Sequence, residues 1–127
     1  MQHKKKIFII EDEQNMRNAI KRMIEYSLPS VDILETGVGE KALNIAESSI
    51  PDLILLDVLL PNMNGLQVLK ALKESKYEEI RKIPVIMLTG IGNKEIALQA
   101  EKMGAVDYIT KPFNRKVLLL KIKKYLS

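Results

Sequence analysis

Five short runs rich in β-branched and apolar residues alternate with amphipathic helical patterns along this sequence. The runs are Lys6–Ile10, Asp32–Thr36, Leu53–Asp57, Val85–Thr89 and Asp107–Thr110. The first, third and fourth are nearly continuous in Ile, Val, Leu, Met and Phe. A strand that is apolar on both sides has to be covered on both sides, as in a parallel sheet between two layers of helices. Repeated strand–helix–strand units are right-handed and wind such a sheet.

The helices show in the spacing of their apolar residues. Met16, Ala19, Ile20, Met23 and Ile24 form one stripe, and that helix stops before Pro29. Ala42, Leu43 and Ala46 mark a second, ending before Pro51. Leu66, Leu69 and Leu72 mark a third. Ile96, Ala97, Ala100 and Met103 mark a fourth, closed by Gly104 in the usual cap position. Leu118, Leu119, Ile122 and Leu126 mark the last. Five strands and five helices use up residues 1–127, with no linker or low-complexity tract between them. The expected fold is a doubly wound, five-stranded parallel α/β sheet of order 2-1-3-4-5, a flavodoxin-like three-layer sandwich in one domain. A chain of this size buries roughly two-thirds of its unfolded surface, enough for a core without staples.

Composition removes several kinds of chemistry. The chain has no cysteine, and His3 is its only histidine. Disulfides, thiolate nucleophiles, sulfur-ligated zinc and serine–histidine catalysis are therefore not expected. Net charge is +4, with lysines crowding both ends at Lys4, Lys5 and Lys6 and at Lys116, Lys121, Lys123 and Lys124. With aromatics at 5 %, there is little to stack bases, so these lysines read as a solvated face rather than a nucleic-acid surface. The apolar run from Ile7 to Ile10 is too short for a signal peptide and runs straight into acids. No segment approaches a membrane span, and a cytoplasmic location is expected.

Polar residues break the apolar pattern at one repeated place, the carboxyl end of a strand. The first strand ends in Glu11-Asp12-Glu13, the third in Asp57, the fourth in Thr89-Gly90 and the fifth in Lys111-Pro112. In a doubly wound sheet, ligands bind at that edge where the strand order reverses. Glu11, Asp12, Asp57, Thr89 and Lys111 would converge there. Two unit charges ~4 Å apart interact with about 4 kcal/mol at an effective dielectric near 20. Either one carboxyl is protonated or a cation sits among them. Oxygen donors without histidine or cysteine suit Mg²⁺, with Mn²⁺ as a substitute. A carboxylate nucleophile, a metal, a lysine and a hydroxyl together suit phosphoryl transfer through an acyl phosphate. Gly90 leaves room for phosphoryl oxygens.

The sequence resembles the receiver domain of two-component response regulators from end to end. The matching pieces are Ile9-Ile10-Glu11-Asp12-Glu13, Pro51-Asp52-Leu53-Ile54-Leu55-Leu56-Asp57, Pro61 and Gly65, Met87-Leu88-Thr89-Gly90, and Gly104-Ala105-Val106-Asp107-Tyr108-Ile109-Thr110-Lys111-Pro112. The resemblance implies that Asp57 accepts a phosphoryl group from a histidine kinase or phosphotransfer protein. It implies that Glu11, Asp12 and Asp57, with the backbone carbonyl of Leu59, hold Mg²⁺. Thr89 and Lys111 would engage the phosphoryl group, and Tyr108 would change rotamer as Thr89 moves. That would shift a surface made of the fourth helix, the fifth strand and the last helix, through which such domains often pair. The family holds the Lys111–Pro112 bond cis. Such a domain promotes its own phosphorylation and dephosphorylation and is not a turnover enzyme. Leu59 and Ile91, two residues after Asp57 and Thr89, are apolar and cannot orient an attacking water, which implies slow dephosphorylation.

Other readings remain open at this level. Glu11 and Asp12 on their own fit a helix start, and Asn64-Gly65 reads as a turn with its glycine at positive φ. Gly37-Val38-Gly39 resembles half of a dinucleotide fingerprint but lacks the third glycine and the first-strand context. An aspartyl phosphatase would need an acid/base Asp where Leu59 stands. A flavin carrier would need a phosphate cradle where the Glu11–Glu13 acids stand. A receiver-like interaction module that works without phosphorylation is the strongest rival.

Overall fold

The computed structural model describes residues 4–90 and 92–126. Strands β1 (Lys6–Ile10), β2 (Asp32–Thr36), β3 (Leu53–Asp57), β4 (Val85–Thr89) and β5 (Asp107–Thr110) occupy the expected positions. They form one parallel sheet in the order β2-β1-β3-β4-β5. Helices α1 (Gln14–Ser27), α2 (Ala42–Ser49), α3 (Gly65–Lys73), α4 (Glu78–Arg81), α5 (Lys94–Lys102) and α6 (Arg115–Tyr125) cover it, with a 3-10 turn at Gly39–Lys41. The sequence pattern anticipates five helices. The sixth, α4, is a single turn of four residues, too short to show a period, and it buries Ile80.

The sheet splits the core in two because side chains alternate across a strand. Phe8, Ile10, Ile54, Leu56, Val85 and Met87 face the layer of α2, α3, α4 and α5. Ile7, Ile9, Leu53, Leu55, Ile86 and Leu88 face α1 and α6. Every residue of β3 and β4 is buried, whereas the edge strands β2 and β5 are partly exposed. Full burial of a Leu or Ile side chain is worth about 1.5–3 kcal/mol, so the three central strands are the most firmly held elements.

Helix starts are fixed by side chains. Glu13 caps α1, accepting from the amides of Asn15 and Met16. Asn114 caps α6 through the Val117 amide at 2.9 Å. Asn64 and Gln67 form a reciprocal capping box on α3, with 3.0 Å for each bond. Asn64-Gly65 is thus a helix start rather than a turn with a positive-φ glycine. Among the described residues only Gly92 and Gly104 are glycines with positive φ. Gly65 is needed for closeness instead. Its amide donates to the Val58 carbonyl at 2.8 Å, and a Cβ there would overlap the Asp57 carbonyl oxygen and press on Val58 Cα.

Gly65→Ala should therefore push α3 away from the end of β3. We expect a loss of about 2 kcal/mol or more in urea unfolding, the scale of overpacking in a tight site. An unchanged unfolding midpoint would contradict this account of the glycine.

Candidate functional site

The parallel register sets the strand ends side by side. β1 pairs with β3 through Ile10 and Leu56, so Glu11 and Asp57 each stand one residue beyond that pair on neighbouring strands. Asp57 in turn pairs with Leu88 of β4, one residue before Thr89. Glu11 is fully buried, and Asp57 and Thr89 are buried nearly as deeply. Asp12 is exposed. Carboxylate oxygens of Glu11, Asp12 and Asp57 all lie within 4.8 Å of one another.

Lys111 completes the cluster. Its Nζ lies 2.6 Å from Glu11 Oε1 and 3.2 Å from Asp57 Oδ2. Its amide donates to the Thr89 carbonyl at 2.6 Å, which ties the β5–α6 segment to the end of β4. The Lys111–Pro112 bond is cis, as the resemblance implies. The other Asp57 oxygen, Oδ1, accepts from the Leu59 amide at 3.2 Å. Glu11 Oε2 accepts from the Glu13 amide at 3.2 Å. The acidic run after β1 is thus divided, with Glu13 capping α1 while Glu11 and Asp12 face the cluster.

The electrostatics follow from this crowding. Burial raises the pKa of Glu11 above the usual carboxylate range, and the neighbouring Asp57 adds to the shift, while Lys111 and the Glu13 amide pull the other way. Burial works against the Lys111 ammonium, but the Glu11 hydrogen bond and the two carboxylate charges outweigh it and hold its pKa up. With all groups ionised, three carboxylates and one ammonium leave two negative charges uncompensated. A dense, hard oxygen set with an excess of two charges fits a divalent cation such as Mg²⁺.

The remaining expected residues lie at the margin. Leu59 follows the cluster and is 65 % exposed. Ile91 lies outside the described residues. Tyr108 is half-buried on β5 and apart from the acids. It lines a cavity of about 200 Å³ together with Thr89, Gly90, Asn93 and Thr110, so Thr89 stands between the acidic cluster and the tyrosine.

This chain matches the family model for the response regulator receiver domain over residues 7–123. It is 35 % identical over 121 residues to the transcriptional regulatory protein CpxR of Escherichia coli, covering 95 % of this chain and 49 % of that protein. It is 39 % identical over 119 residues to the phosphate regulon transcriptional regulatory protein PhoB of Klebsiella pneumoniae, covering 94 % of this chain and 50 % of that one. The chain thus spans about half the length of these relatives. The receiver domain of NtrX from Brucella abortus superposes with a TM-score of 0.86 at 28 % identity, over 94 % of this chain and 97 % of that one. The chemotaxis response regulator CheY4 of Vibrio cholerae shares the fold, with a TM-score of 0.87 at 24 % identity over 98 % of this chain and all of that one. No helix among the described residues is long and apolar enough to cross a membrane.

The raised Glu11 pKa has a sign that can be checked. A raised carboxyl stabilises the fold while protonated, and that contribution is lost as pH rises through its folded-state value. In metal-free protein, Glu11→Gln should gain stability relative to the parent as pH rises above the ordinary carboxylate range. Excess Mg²⁺ should narrow the gap. A difference that does not vary with pH in thermal unfolding would contradict the assignment.

Proposed function

The chain belongs to the response regulator receiver family, and we propose that it acts as a phosphorylation-controlled switch in two-component signalling, with Asp57 as the phosphoryl acceptor. The observation that carries this reading is the seating of Asp57. It ends a fully buried strand, one oxygen takes the Leu59 amide, the other faces Lys111, and Glu11 and Asp12 stand alongside. A structural carboxylate would gain nothing from two further acids at that spot.

In the proposed step, an Asp57 carboxylate oxygen bonds to the phosphorus of a phosphohistidine on a histidine kinase or phosphotransfer protein. The P–N bond breaks, its electron pair stays on the imidazole nitrogen, and that nitrogen takes up a proton. Lys111 neutralises charge on the transferring group, and the Thr89 hydroxyl donates to it. Glu11, Asp12, Asp57 and the Leu59 carbonyl would hold Mg²⁺, which supplies charge neutralisation on the phosphoryl oxygens. Asp57 is consumed in each event, so the domain is an acceptor and not a turnover enzyme.

The output follows from Thr89. Drawn toward the phosphoryl group, it would vacate space beside the 200 Å³ cavity that Tyr108 also lines. Tyr108 turning inward would alter the surface of α5, β5 and α6, the face for a downstream target or a second copy of the chain. A change from 1:99 to 99:1 needs ~5.5 kcal/mol of differential stabilisation, so a partial shift is expected. The named relatives are transcriptional regulators about twice as long, which suits an output domain, and the setting is cytoplasmic.

Incubation with acetyl phosphate and Mg²⁺ should add one phosphoryl group to the parent protein and none to Asp57→Ala, read by intact mass. Labelling of the variant would defeat the acceptor assignment. Leu59, apolar and beside Asp57, has no group to orient water, so the acyl phosphate should persist. Leu59→Asn should hasten its decay by about tenfold, equal to ~1.4 kcal/mol of barrier. Equal decay rates in the two proteins would show that this side chain does not set the lifetime.

A further inference from the structure

The turn between β1 and α1 carries Glu11 and Asp12, and it is gripped from outside by a side chain that the proposed chemistry does not use. Arg17 lies in the first turns of α1. Its Nη1 donates to the backbone carbonyl of Glu11 at 2.7 Å and its Nε donates to Glu35 Oε1 at 2.9 Å. Glu35, on β2, accepts Lys21 Nζ on its other oxygen at 3.0 Å. The donors of a guanidinium lie in one rigid plane, so two fixed acceptors set both its position and its tilt. The Arg17 side chain is only 17 % exposed. Glu35 offsets part of its charge, and its contact with the acidic turn is to a backbone carbonyl rather than to a carboxylate of the cluster.

Gly37 supplies the other half of this arrangement. A Cβ at Gly37 would lie 2.8 Å from Arg17 Nη1, 3.5 Å from Asp12 Cα and 3.6 Å from the Glu11 carbonyl oxygen. Gly37 is not among the positive-φ glycines, so what it provides is space and not backbone freedom. The Arg17 tip is a movable group in general, but here it is pinned by two acceptors. An added methyl would have to unseat it or the turn behind it.

We propose that Arg17 is a positioning residue for the cation site of Glu11 and Asp12, and that Gly37 leaves the space in which its guanidinium grips the turn. This rests on reading Glu11, Asp12 and Asp57 as a divalent-cation site. The hold is on the peptide from which both carboxylates spring, so its loss should widen the spread of ligand positions. Groups of this kind typically change metal affinity by about 10–100-fold when removed.

Mn²⁺ binding to the whole chain, followed by the electron paramagnetic resonance of free Mn²⁺, tests this without requiring phosphorylation. The parent should bind one Mn²⁺. Arg17→Ala should weaken binding about tenfold, and Arg17→Lys should restore only part, since an ammonium cannot reproduce the two-pronged grip. Gly37→Ala, which removes no polar group, should weaken binding in the same direction. Glu35→Gln should weaken binding in the parent and have no further effect in Arg17→Ala. A merely structural role would lower the thermal midpoint and leave the Mn²⁺ affinity of the folded protein alone. If Arg17→Ala fails to fold, Gly37→Ala and Glu35→Gln decide the matter by the same readout. Parent-like affinity in the folded variants overturns the positioning role. A parent that binds no Mn²⁺ overturns the cation-site reading and this inference with it.

Discussion

One ammonium serves two carboxylates at the carboxyl edge of the sheet. Lys111 Nζ is 2.6 Å from Glu11 and 3.2 Å from Asp57, and Asp12 adds a third acid within reach of both. A lysine can cancel one such charge, so the excess has to be tolerated by the fold or met by a ligand. Like charges about 4 Å apart cost about 4 kcal/mol at an effective dielectric near 20. That is a large share of the 5–15 kcal/mol by which a typical domain is stable. The arrangement therefore needs backbone that cannot relax away from it. β1, β3 and β4 provide this, because their side chains are locked in apolar layers on both faces of the sheet.

The segments leaving those strands are held just as closely. Glu13, Asn64 and Asn114 each close the first turn of a helix that begins within a few residues of the site. Gly65 lets α3 begin in contact with the last residues of β3. Arg17 ties α1 and β2 to the Glu11 carbonyl. Each of these contacts shortens the free length of chain around the acids, and this is how a surface edge comes to behave like a core.

The strands and the acidic cluster were legible in the sequence for one shared reason. A charge set into an apolar run, as Asp57 is in Leu53–Leu60, conflicts with burial unless it has a partner, and the alternation of elements indicates which strand end supplies one. Features that depend on closeness left no such mark. Gly65 and Gly37 look like flexible punctuation, yet each matters for the atom that a methyl group would strike. Arg17 falls on the polar side of an amphipathic helix and looks like any solvated arginine. The single turn of α4 has no periodicity to detect. Pattern reading finds what repeats along the chain, whereas these contacts join residues that are each single occurrences in it.

The proposed switch also depends on small energies. Tyr108 lies between the cavity beside Thr89 and the side chains of α6. Lys121 Nζ stands 5.9 Å from the tyrosine ring and 2.8 Å from Asp107 Oδ1, while Tyr125 donates to Asp107 Oδ2 at 3.0 Å. If the ring turned inward, Lys121 would keep its carboxylate and lose only the contact with the ring. Such a contact near the surface is worth about 0.5–1 kcal/mol. Tyr108 would gain apolar burial in exchange, a contribution of opposite sign. In the proposed switch, opposing contributions of this size would let a single covalent change at Asp57 move the population of a surface two strands away.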